Sequence, residues 1–305
     1  MPQIAIIGAG LIGRAWAYVF ARAGMAVRVW DADPATLDRL PADMVAMIRD
    51  TGGDLAIAGR IHAVPTLAEA LDGAALAQEN GPERIEVKRN LFAAMDATAA
   101  PETILASSSS ALLASAFAAG LHGARRCIVA HPVNPPHVVP VVELCPSPQT
   151  DPAVMDAAEA IYAAAGQVPV RLTREIDGFV LNRLQAVLLA EALRLVEDGI
   201  CTPQGLDDTM RHGLGRRWAF MGPLETITLN APGGAADYMG RYGAMLSGLV
   251  GGGAAGAAFT DRVARQIDAA FPHSATPESI RARSGWRDGE LAALDTHLRS
   301  RAGKD

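Results

Sequence analysis

Cysteine is scarce in this chain of 305 residues: Cys127, Cys145 and Cys201 are the only three, and they lie far apart in sequence. That number and spacing exclude a disulfide framework and a cysteine-based zinc site. A reducing compartment, three buried thiols and no metal are therefore expected. Positive charge is also short, with 27 Lys and Arg against 33 Asp and Glu and a net charge of -6. No basic field is available to attract nucleic acid or an anionic lipid surface. Long hydrophobic runs are missing as well, since no segment reaches the roughly 18 uninterrupted apolar residues of a membrane span. The first residues enter an apolar strand at Ile4 without the basic region and small-residue cleavage site of a secretory signal. These absences predict a cytoplasmic protein with neither nucleic acid nor membrane as partner. What remains is a globular composition, 50% hydrophobic and 20% charged, at a length that normally divides into two domains.

The first domain announces itself at once. "QIAII" is a short apolar strand, "GAGLIG" a glycine turn, and Trp16, Val19, Phe20 and Ala23 carry the period of a helix. The spacing Gly8, Gly10, Gly13, with Leu11 and Ile12 between the last two, is the dinucleotide fingerprint. Gly8 allows the tight turn, Gly10 leaves space for a pyrophosphate against the backbone, and Gly13 lets the helix approach the strand. The anion would sit on free N–H groups at the helix start. A second strand, "AVRVW", ends at Asp31, the position of a ribose-binding carboxylate. An acid there accepts from ribose hydroxyls and repels a 2′-phosphate, so NAD is expected rather than NADP; the competing role is a helix cap for "DADPAT". Further strands, "AALAQ", "TILAS", "CIVAH" and "VPVVEL", alternate with Ala-rich helical stretches, which predicts a mostly parallel, Rossmann-type doubly wound α/β sheet over residues 1–176.

Ligands of such sheets bind beyond the carboxyl ends of the strands. Two polar features stand there: the "SSSS" of Ser107 to Ser110 ends one strand, and His131 ends the next. His131 opens "HPVNPPHVVPVVEL", whose prolines stiffen the chain so that it can double back and bring Glu143, set in the apolar "VVEL", against the imidazole. Oxidation of an alcohol needs a base for the hydroxyl proton, and near neutral pH a histidine serves most easily. An ionised Glu143 in such surroundings would need a cationic or hydrogen-bonded partner. The alternative for His131 is a satisfied structural histidine.

From about residue 177 the strand signals cease. "DGFVLNRLQAVLLAEALRLVEDGI" reads as one long helix with Asp177 as N-cap and Gly199 as stop, and weaker helices follow, predicting an all-α domain over residues 177–305. Its apolar surface predicts a homodimer. "GGGAAGAA", Gly251 to Ala258, is expected to be a flexible loop.

"GAGLIG", "SSSSAL", "HPVNPPHVVPVVEL", "GFVLNRLQ" and "GLGRRWAFMGPLETITLN" together resemble the 3-hydroxyacyl-CoA dehydrogenase superfamily, in particular its lambda-crystallin branch, whose active members are L-gulonate 3-dehydrogenases. The resemblance runs from about residue 3 to 290. It implies NAD-dependent oxidation of a 3-hydroxyl, with Ser110 on the reacting oxygen, His131 as general acid/base and Glu143 as its orienting partner. Asn134 and Asn182 would complete the polar pocket, and Glu83 and Lys88 would stand at cofactor-side and substrate-side contacts, a solvated helix face being the alternative for both. Acyl-CoA substrates need basic residues for their phosphates, whereas residues 41–64 offer only Arg49 and Arg60, without the lysine-rich insertion of the fatty-acid branch. A small hydroxy acid is therefore expected, most closely L-gulonate, its carboxylate held by Arg217 unless that residue is a surface salt bridge. Carnitine dehydrogenation, short-chain 3-hydroxyacyl-CoA dehydrogenation and a structural, crystallin-like role are the alternatives.

Overall fold

Strand β1 (Gln3–Ile7) carries its apolar side chains to both faces of a sheet: Ile4 and Ile6 enter one buried cluster, Ala5 and Ile7 another. A strand buried on both faces is a continuous apolar run, the mark of a parallel sheet sandwiched by helices. The computed structural model describes residues 1–250 and 258–301. Its sheet has eight strands in the order β3-β2-β1-β4-β5-β6-β7-β8. The further strands are β2 (Ala26–Trp30), β3 (Ile61–Ala63), β4 (Ala74–Glu79), β5 (Ile104–Ser107), β6 (Cys127–Pro132), β7 (Val141–Pro146) and β8 (Val168–Arg171). Every neighbouring pair is parallel except β6 with β7. The order reverses between β1 and β4, the switch point at which doubly wound sheets bind nucleotides.

Helices α1 (Leu11–Arg22), α2 (Pro34–Asp50) and α6 (Pro152–Ala164) supply one core cluster, with Trp16, Phe20 and Tyr162 in mutual ring contact. Helices α3 (Leu67–Leu71), α4 (Ile85–Thr98) and α5 (Ala114–Ala118) supply the other, around Phe92, Phe117 and Phe179. Cys127 and Cys145 are buried in it, and burial pushes their thiols up to about 12 and about 11, so both are inert; Cys201 is only half-buried. Strands β3 and β8 carried no sequence signal because they are three and four residues long with mostly exposed side chains.

The chain divides into two compact units, Met1–Leu188 and Leu189–Asp305. The second is helical, with α8 (Pro203–Thr209), a π-helical turn at Met210–Leu214, α9 (Gly215–Trp218), α10 (Pro223–Thr228), α11 (Gly234–Leu249) and helices at Asp261–Ala270 and Pro277–Arg301. Its small core holds Met221, Leu229 and Ile280. Residues 251–257 of the expected glycine-rich loop lie outside the described residues. Helix α7 (Leu181–Glu197) runs across the division and buries none of its residues; Leu184, Val187 and Leu193 are 63%, 70% and 62% exposed. It starts three residues later than a helix capped at Asp177 would. Gly178 and Phe179 take positive φ, 76° and 51°, so Asp177 is not the helix cap.

Candidate functional site

The glycine turn has a reason at each position. Gly8 has φ 97°, open to glycine alone without strain, and a Cβ on Gly13 would lie 1.8 Å from the Gly8 carbonyl oxygen. A Cβ on Gly10 would meet no atom within 4 Å, so nothing in the fold itself forbids a side chain there. The constraint fits a ligand brought close to the backbone. Helix α1 begins at Leu11 with Gly10 at its N-cap and no side chain on its first N–H groups, whereas Asp33 and Asp151 cap α2 and α6. Those N–H groups stay available to a diphosphate.

Asp31 accepts from the Ala9 N–H at 2.7 Å and from the Asp33 N–H at 2.9 Å. It is thus tied to the glycine turn, and Asp33 rather than Asp31 caps α2. A carboxylate offers about four acceptor positions, so capacity remains for ribose hydroxyls. A cavity of about 440 Å³ lined by Trp30, Asp31, Leu37, Asp38 and Val64 adjoins it, with two acids and no basic residue along its lining, which suits an adenosine without a 2′-phosphate.

His131 and Glu143 are direct cross-strand partners in the β6–β7 hairpin, and the imidazole Nδ1 lies 2.8 Å from Glu143 Oε2. Strand alternation puts both on the face of Cys127, Val129 and Cys145. They are 4% and 2% exposed. The other oxygen of Glu143 accepts from the N–H groups of Val180 and Leu181 at 2.9 and 3.0 Å. Burial pushes the Glu143 carboxyl up, but the imidazole and these two N–H groups outweigh it and hold the group below its ordinary value of 4.5. An ionised carboxylate fixes the proton on Nδ1 and leaves Nε2 as the acceptor.

The four serines do four different things. Ser107 donates to Glu79 at 2.5 Å; Ser108 donates to Asn80 and accepts from Gln78 and Trp16; Ser109 donates to Glu83. Only Ser110 is exposed, and among the described residues its hydroxyl has no partner. Its carbonyl accepts from Asn182 Nδ2 at 2.9 Å, which ties the serine loop to the first turn of α7. Asn134 is exposed in the β6–β7 connection, followed by a cis bond to Pro135.

Glu83 accepts from Ser109 and from the N–H groups of Ala111 and Leu112, fastening the serine loop. Burial pushes its carboxyl up, but the Ser109 hydroxyl and the Lys88 charge prevail and hold it below the usual range. Lys88, one of two lysines in the chain, is 1% exposed, with its ammonium 2.9 Å from Glu79 and 3.3 Å from Ser107. Sequence reasoning missed Glu79 altogether. Its one signal was a lone acid closing the apolar strand "AALAQE", the same signal that exposed Glu143. Arg217 lies on α9, in the second unit, beside a cavity of about 440 Å³ lined also by Thr209, His212, Arg216 and Leu291. Arg216 is paired with Asp295, while Arg217 has no ion-pair partner among the described residues.

The sequence profile described as "3-hydroxyacyl-CoA dehydrogenase, NAD binding domain" matches residues 3–176, and that of the C-terminal domain matches residues 178–248. A lambda-crystallin homolog of Bos taurus is 43% identical over 95% of this chain and 94% of that one. The L-carnitine dehydrogenase of Burkholderia mallei is 36% identical over 94% of this chain and 91% of its own. The crystal structure of a 3-hydroxyacyl-CoA dehydrogenase from Archaeoglobus fulgidus superposes with a TM-score of 0.77 over 98% of this chain and 99% of that one. At 21% identity that likeness bears on the fold alone.

Proposed function

The chain belongs to the 3-hydroxyacyl-CoA dehydrogenase family, an NAD-dependent oxidoreductase acting on CH–OH groups, and from that premise we propose that it oxidises the 3-hydroxyl of a small hydroxy acid, L-gulonate to 3-dehydro-L-gulonate. The observation that carries this reading is the 2.8 Å contact between His131 and a Glu143 fixed by two further hydrogen bonds. NAD bound at the glycine turn supplies the acceptor for the hydride. The protein manages the proton: Nε2 of His131 takes it from the substrate hydroxyl, and Glu143 stabilises the imidazolium without itself being protonated. The free hydroxyl of Ser110 donates to the reacting oxygen, and Asn182 holds that loop in place. Asn134 would add a polar contact. Glu83 and Lys88 serve the same site by fixing the serine loop from beneath.

Arg217 is assigned the substrate carboxylate; that its guanidinium has no ion-pair partner among the described residues, whereas Arg216 has one, supports this over a surface salt bridge. A second reading, L-carnitine as substrate, is favoured by the 36% identity to the carnitine dehydrogenase. We place the enzyme in the cytoplasm as a homodimer associating through its second unit, which would cover exposed apolar side chains such as Leu193 and Met245. No helix of the described residues is long and apolar enough to cross a membrane.

The test is NADH formation, followed by absorbance, from NAD with L-gulonate, L-carnitine, 3-hydroxybutyrate and its CoA thioester. L-Gulonate should give the highest kcat/KM. Preference for carnitine would select the second reading, and preference for the thioester would refute the small-acid assignment.

A further inference from the structure

Among the described residues Phe179 is the one non-glycine residue with positive φ, at 51°. A left-handed conformation is disfavoured for a residue with a Cβ, which crowds the following carbonyl oxygen. Phe179 is nevertheless fully buried, so the surrounding structure imposes the conformation. Such strain persists where a site needs it.

The chain gains a specific geometry from it. In the helix that the sequence pattern describes, capped at Asp177, the Leu181 N–H would bond the Asp177 carbonyl four residues back. The left-handed pair Gly178 and Phe179 breaks that continuity and delays the helix to Leu181. The Leu181 N–H is thereby released, and together with the Val180 N–H, which has no helical acceptor in either arrangement, it reaches Glu143 Oε1. The same turn lays the Phe179 ring against the imidazole, with ring centroids 5.1 Å apart and planes inclined by 35°. Phe179 therefore touches His131 through its ring and acts on Glu143 through the N–H groups of the two residues that follow it, Val180 and Leu181.

We propose that Phe179 is a positioning residue for the acid–base pair: its left-handed turn fixes the free oxygen of Glu143, and its ring holds the His131 imidazole in the rotamer that meets the other. This rests on the acid–base reading of His131 and Glu143 given above. It goes beyond core packing, because a packing residue has no need of a disfavoured backbone or of a neighbouring strand's carboxylate. The groups around Glu143 are few among the described residues. His131 faces it from β6, Val170 from β8 and two backbone N–H groups from the start of α7, with Cys145 two positions along its own strand.

Two variants of the full-length protein test this. Phe179→Leu keeps an apolar side chain and removes the ring. Leu181→Pro removes one of the two N–H donors at the first helical position, where proline is tolerated. Each should lower kcat by about 10-fold or more while the KM values for NAD and hydroxy acid stay within about 3-fold. With one N–H fewer on Glu143, the acidic limb of the kcat/KM profile of Leu181→Pro should move upward by on the order of 0.5 pH unit. Unchanged kcat and pH profile in both variants would overturn the proposal, as would losses confined to thermal stability. Should Phe179→Leu fail to fold, the pH profile of Leu181→Pro decides alone. Parallel assays of His131→Ala and Glu143→Gln separate the two failures. If those retain turnover, the acid–base reading falls; if they lose it while Phe179→Leu and Leu181→Pro behave as wild type, only this inference falls.

Discussion

Replacing Glu143 by glutamine changes almost no volume and yet cannot satisfy the site. One carboxylate oxygen accepts from His131 Nδ1 at 2.8 Å and the other from Val180 and Leu181 at 2.9 and 3.0 Å, so three donors converge on one side chain. An amide has one acceptor oxygen. If it serves the two N–H groups, its NH₂ faces Nδ1, which must then be unprotonated; the imidazole proton moves to Nε2, where the base should be. If it serves Nδ1, its NH₂ meets two N–H donors, and leaving buried donors unsatisfied costs about 1–3 kcal/mol. The first arrangement is cheaper, so Glu143→Gln should fold with a small loss of stability and carry the wrong tautomer. General acid–base catalysis is worth about 10²- to 10⁴-fold, or about 2.7–5.4 kcal/mol of barrier. Initial rates of NADH formation at saturating NAD and substrate should fall by that factor, with KM for NAD unchanged. Turnover within about 5-fold of wild type in a folded variant would refute the tautomer argument.

The buried pair of Lys88 and Glu79 gives a stability prediction: Lys88→Met strands a fully buried carboxylate and should cost about 3 kcal/mol by urea unfolding, the low end for a broken buried pair because Ser107 and Gly81 still donate. The double variant with Glu79→Gln should recover most of it, and a larger loss in the double would contradict the charge argument. Arg217→Met should raise KM for the hydroxy acid by about 10- to 100-fold with little change in kcat, and proportionate loss of both would remove Arg217 from the substrate carboxylate. Glu83 and Glu143 have folded values below 4.5. Their contribution to stability is present above that pH and disappears as pH falls through the lowered folded values, so thermal midpoints should be flat above about pH 5 and drop below 4.5. A midpoint unchanged at still lower pH would argue against the hydrogen bonds assigned to them.

The parts of the fold legible in the sequence rest on short-range rules. The turn of Gly8, Gly10 and Gly13 and the position of Asp31 follow from the sterics of one strand–turn–helix unit, and the approach of His131 to Glu143 follows from a single hairpin register. The start of α7 was not legible, because helical periodicity runs unbroken through Asp177 to Val180 and only a carboxylate 37 residues earlier in the chain accounts for the break. The partners of Lys88 were hidden for a similar reason. A lysine in "PERIEVKRN" looks solvated until β4 brings Glu79 beneath it. The apolar run around Glu143 marked it correctly as a buried acid, and the same logic applied to "AALAQE" would have found Glu79.

The proton-transfer account is tested most directly by NADH formation in His131→Ala, measured from pH 6 to 10 with NAD and the preferred hydroxy acid. The account predicts a loss of at least about 10²-fold in kcat and the disappearance of the acidic limb of the pH profile, with NAD affinity retained. Turnover near that of wild type, or a low rate that keeps the wild-type pH dependence, would contradict it.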